Sequence, residues 1–111
     1  MAKDWKLHLF HIIDCINKIK IISARGDLSS DFVLYDACLR NLQTLSESMT
    51  HLPESIKLQY PKIDWKNIKG FRNILVHDYL GDIDSETIKK IITDYLPELE
   101  VMTKEVMSAL N

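Results

Sequence analysis

The run from Phe71 to Gly81 reads Phe-Arg-Asn-Ile-Leu-Val-His-Asp-Tyr-Leu-Gly, which places Arg72, Asn73, His77 and Tyr79 in one short, apolar-rich stretch. Arg72 offers a permanently charged, bidentate fork for a phosphate and for charge that develops in a transition state. His77 can move protons near neutral pH. With no metal ligand beside them, the two suffice to cleave an RNA strand whose own 2′-hydroxyl is the nucleophile. The histidine would take or give the proton while the arginine stabilises the phosphorane-like state. On residue types alone, the same pair also describes a salt bridge and a cap on an ordinary helix.

Geometry narrows the choice. At about 100° per residue, Arg72 and Tyr79 share a stripe roughly 20° apart, and Asn73 and His77 are an i,i+4 pair able to touch. Arg72 and His77 lie about 140° apart around an ideal helix. One helix therefore does not aim both at one small target. Either the helix loosens near Gly81 or a second copy of the chain completes the site.

The elements that must hold this run read as helices. Trp5, Leu9, Ile12, Ile16 and Ile19 step by four and three, predicting a first helix from about Asp4 to about Ser23. Phe10, Ile13 and Ile22 widen that stripe, so burial on more than one side is expected, and Gly26 suits the left-handed position past a helix end. A second helix is expected from about Ser30 to Leu52, capped by Ser29 or Ser30, with Phe32, Tyr35, Leu39, Leu42, Leu45, Met49 and Leu52 inward. Pro53 closes it. Residues 53–63 form a short helix or turn halted by Pro61. Asp64 is the expected N-cap of a third long helix, with Trp65, Ile68, Phe71 and Leu75 inside and Gly81 and Asp82 at its end. Asp84 or Ser85 caps the next, which buries Ile88, Ile91, Ile92 and Tyr95. Pro97 kinks or restarts the chain, and Leu99, Met102, Val106 and Leu110 complete it. The expectation is an all-α fold, an up-and-down bundle of four to five helices in a single domain spanning 1–111.

Composition agrees: three Gly and three Pro in 111 residues leave few tight turns, and 46% hydrophobic residues can fill a real core. No apolar run approaches the ~18 residues that span a bilayer, so no membrane segment is expected. Charge is uneven although the net is −2. Lys62, Lys66, Lys69 and Arg72 face only Asp64, whereas 78–100 is acidic. A basic approach to Arg72 suits a polyanion, and a solvated charged face reads the same way. His8 and His11, three apart with no carboxylate or Cys in register, read as surface or packing residues, so no metal is expected. His51 reads as a partner of its helix's C-terminal dipole. Cys15 and Cys38, each flanked by apolar residues in a chain without a secretory signal, read as buried reduced thiols of a cytoplasmic protein.

A wider pattern surrounds the opening run. Arg72-Asn73-x-Leu75-Val76-His77-x-Tyr79 resembles the R-x4–6-H motif of HEPN-domain ribonucleases, in the R-x4-H-x-Y form of the HepT toxins. Asp36-Ala37-x-x-Arg40-Asn41-Leu42 is similar to that family's second-helix signature. Tyr60-Pro61-x-Ile63-Asp64-Trp65-x-x-Ile68-x-Gly70-Phe71 resembles its approach to the motif, and Asp94-Tyr95-Leu96-Pro97-Glu98-Leu99 its C-terminal helix. The likeness covers about residues 7–105, with the signatures in order. One departure stands out. Where the family usually reads Ile-Gly-Glu-Ala, this chain has Leu45-Ser46-Glu47-Ser48, so helix packing or dimer geometry is expected to differ there.

The resemblance implies a homodimeric HEPN-like bundle in which both copies' Arg72 and His77 line a shared cleft, with Asn73 supporting His77. It implies RNA as substrate, no cofactor, and a nucleotidyltransferase antitoxin (MntA-like) that transfers AMP from ATP onto Tyr79. Adenylation would add bulk and negative charge beside Arg72 and block RNA. Bundles of this kind also serve as non-catalytic substrate-binding or regulatory subunits of two-component nucleotidyltransferases. Intact Arg72, His77 and Tyr79 favour the toxin.

Overall fold

The computed structural model of the protein describes residues 4–69 and 83–110. Helices α1 (Lys6–Arg25), α2 (Phe32–Thr50) and α3 (Glu54–Gln59) are followed by α4, helical over 65–69 as far as the described residues run. Helices α5 (Ser85–Asp94) and α6 (Leu96–Ala109) complete an all-α bundle. The fold class is as expected. The helix count exceeds four to five because α3 is a full short helix and the chain restarts at Pro97, in the first turn of α6.

Helices α1, α2, α4 and α5 begin where a short acidic side chain can satisfy free backbone N–H groups, whereas α3 and α6 start at Pro53 and Tyr95 without a side-chain cap. Asp4 Oδ1 accepts from the N–H of Lys6 at 3.1 Å, Asp64 Oδ1 from Asn67 at 3.1 Å, and Asp84 Oδ1 from Glu86 at 3.3 Å. The cap of α2 is Asp31, which accepts from Val33 at 3.0 Å, rather than Ser29 or Ser30. Ser29 is held elsewhere: its N–H and hydroxyl both donate to Asp27 Oδ1, at 3.1 and 2.7 Å. Gly26 also corrects the sequence reading. Its φ of 168° is extended backbone, not left-handed. What favours glycine there is a close approach, since a Cβ would stand 3.0 Å from Leu34 Cδ1.

That approach joins the end of α1 to the start of α2, while His8 near the start of α1 meets Ser48 near the end of α2. The two helices are therefore antiparallel. Between them lies the core, with Leu9, Ile12, Ile16 and Ile19 of α1 against Cys38, Leu42, Leu45 and Met49 of α2, closed by Leu96, Leu99, Met102 and Val106 of α6. Ile88 of α5 joins the same core. Some apolar residues at helical spacing do not. Phe10 is 60% and Phe32 76% exposed, and Tyr95 and Leu110 are also exposed. Phe10 stands one stripe away from the α1 seam, and Phe32 and Leu110 lie at helix ends, where no neighbour covers them. Phe71 and Leu75 fall outside the described residues. Both cysteines are buried and unpaired. Burial pushes the Cys38 thiol up to about 11. Among the described residues no helix is long and apolar enough to cross a membrane.

Candidate functional site

Arg72, Asn73, His77 and Tyr79 lie outside the described residues. Both flanks of their segment are described. On the entry side, Asp64 caps α4 and the indole N–H of Trp65 donates to the Tyr60 carbonyl at 3.0 Å. Trp65 and Ile68 rest half-buried on the core, as the expected inner face of α4 requires. On the exit side, the Tyr35 hydroxyl of α2 donates to the carbonyl of Ile83. The chain is thus tied to the bundle just before and just after the motif segment.

The family signatures in the described residues are structural where they can be followed. Asn41 donates from Nδ2 to the carbonyl of Ala37 at 2.9 Å, and Leu42 is buried. The departure at 45–48 is more informative. Ser46 and Ser48 are both buried, 3% and 4% exposed. Ser46 lines a cavity of about 300 Å³ with Leu42, Leu45, Ile68, Ile91 and Leu99, and its hydroxyl finds no hydrogen-bond partner among the described residues. Ser48 turns to α1, where its hydroxyl lies 3.2 Å from His8 Nδ1.

Ser48 belongs to a polar groove that single-helix reasoning missed. His8 and His51 stack with ring centroids 4.5 Å apart and planes 12° from parallel. His11 Nε2 lies 3.5 Å from Cys15 Sγ, which also approaches Thr44 Oγ1 at 3.3 Å. Burial raises the Cys15 thiol, with the Thr44 hydrogen bond opposing it. Leu7, Glu47 and these histidines share an open groove of about 390 Å³. His51 was expected to serve its helix dipole, yet the ring stacks on His8. The signal that could have found this is the short link between α1 and α2, which brings the end of α2 beside the start of α1. Among the described residues, no three of His, Cys, Asp and Glu are placed to hold a metal ion.

The described residues form an all-α bundle whose capped helix α4 leads toward the Arg-x4-His run of the sequence. The sequence profile of the ribonuclease HepT-like family matches residues 12–106, and the chain belongs to that family. It is 35% identical over 104 residues to a candidate RNase of Caldanaerobacter subterraneus subsp. tengcongensis, across 90% of this chain and 91% of that one. A candidate RNase of Methanocaldococcus jannaschii is 31% identical over 113 residues, 94% of this chain and 91% of its own. A protein of Thermococcus cleftensis named as a candidate ribonuclease HepT is 24% identical over 98 residues, 88% of each chain. No solved structure matches the chain closely enough to compare. The protein is thus a ribonuclease of HepT type.

Proposed function

We propose that the chain is the toxin of a toxin–antitoxin pair, a metal-independent ribonuclease whose Arg72 and His77 act in a cleft composed by two copies. The observation that carries this is the Arg72-x4-His77-x-Tyr79 spacing within matched residues 12–106. His77 takes the proton of the attacking 2′-hydroxyl or gives one to the departing 5′-oxygen. Arg72 forks around the phosphate and holds the charge that builds there. Asn73, one turn ahead of His77, positions its ring. The separation of roughly 140° around one helix favours a two-fold arrangement, in which each motif faces its mate.

Tyr79 is the switch in this reading. A nucleotidyltransferase antitoxin of MntA type places AMP from ATP on its hydroxyl with loss of pyrophosphate. The added phosphate sits on the stripe of Arg72 and repels RNA. The test is cleavage of RNA in EDTA by the parent chain and by Arg72→Ala and His77→Ala. Each substitution should abolish cleavage and growth arrest while the dimer persists. Undiminished activity in both variants would overturn the assignment. Mass spectrometry after co-expression with the transferase should find AMP on Tyr79. A stable, unmodified and non-toxic complex would argue instead for a non-catalytic subunit.

A further inference from the structure

We propose that the groove between the start of α1 and the end of α2 is a base-stacking subsite for single-stranded RNA, with the exposed face of His51 as its platform. This rests on the ribonuclease reading above. The inner ring of the stack is fixed, because His8 is half-buried and its Nδ1 stands 3.2 Å from the buried Ser48 hydroxyl. The outer ring, His51, lies parallel to it at 4.5 Å and is exposed. The stack therefore ends on an imidazole face at the protein surface.

A further planar ring can extend such a stack without rearrangement, and every nucleobase has a face of this kind. Apolar surface lies beside it. Leu7, 66% exposed, lines the groove, and Phe10, 60% exposed, follows three residues along α1. A splayed nucleotide would cover both. Among the described residues, the lining of the groove holds no lysine or arginine, so it is not a phosphate cradle and the part of RNA that enters is the base. The site is thereby chemically distinct from Arg72, whose charge suits the backbone.

The experiment uses the full chain and a short single-stranded 2′-O-methyl RNA, which lacks the attacking hydroxyl. Affinity is read by fluorescence anisotropy, and the His51 ring protons by NMR. The chain has four histidines, so single substitutions assign their resonances. Added RNA should shift the His51 ring protons upfield through the ring current of a stacked base. His51→Ala should weaken binding about tenfold, while His51→Phe, which keeps a planar face, should bind like the parent. Equal affinity in parent and His51→Ala, or a loss in His51→Phe as large as in His51→Ala, overturns the subsite and leaves the ribonuclease reading standing. A parent chain that neither binds nor cleaves RNA overturns both.

Discussion

Ser46 and Ser48 stand on two flanks of α2 and meet different neighbours. Both serines are buried, 3% and 4% exposed. Ser48 faces α1, and His8 supplies a partner at 3.2 Å. Ser46 faces the cavity beside α4, α5 and α6 and has no partner among the described residues. A buried hydroxyl is favourable only where the opposing helix answers it. Solvent exposure does not separate these two positions; the neighbour does.

The largest effect that would test this contrast is at Ser48. Ser48→Ala removes one hydrogen bond and leaves a half-buried imidazole nitrogen without that partner, so it should cost about 1 kcal/mol. Urea unfolding should show a lower midpoint at unchanged slope. A midpoint equal to the parent's would mean that the Ser48 hydroxyl does not help to hold His8.

Ser46→Ala should move the other way. The parent already bears the desolvation of a buried hydroxyl that no described residue answers, and alanine adds no volume to the cavity wall. Stability should stay level or rise by up to about 1 kcal/mol. A loss similar to that of Ser48→Ala would erase the distinction between the flanks.

How much of this was legible in advance depends on how far each feature reaches. Asp64, Asp84 and Pro97 could be read from single positions, because a cap or a restart involves only the next few residues. Asp31 was missed as the cap of α2 because three neighbouring side chains compete, and the reach of Ser29 to Asp27 decides among them. Phe10 and Phe32 were placed inside because periodicity gives a stripe but not its edge. The Arg72-x4-His77 run falls outside the described residues, so its chemistry and its second copy stand as the proposal above. The histidine groove was not legible. His8 and His51 are far apart in sequence, and only the antiparallel pairing of α1 with α2 brings their rings together.

The smallest expected effect lies at the far end of the same helix pair, where ion pairs replace the serine and histidine contacts. Lys89 of α5 donates to Asp27 Oδ1 at 2.7 Å across the α1–α2 connection. That bond, with the Ser29 hydroxyl and N–H, holds the Asp27 carboxyl well below the usual carboxylate range. A carboxyl depressed by folding adds stability that is complete above its unfolded value of about 4, and this is lost as pH falls toward the folded one. Glu100 of α6, lowered first by Lys20 at 2.7 Å and then by Lys104 at 3.1 Å, acts in the same direction. Unfolding midpoints should therefore decline below about pH 4, and Asp27→Asn should flatten part of that decline by lowering the midpoint modestly at pH 7 and leaving it unchanged at low pH. Because Asp27 is distant from His8 and Ser48 along both helices, the penalty of Ser48→Ala at pH 7 should be the same with or without Asp27→Asn. Strong coupling between those two substitutions would show that the ends of the α1–α2 pair do not respond independently, and that the contrast between the flanks of α2 reflects the whole hairpin rather than the partner each serine meets.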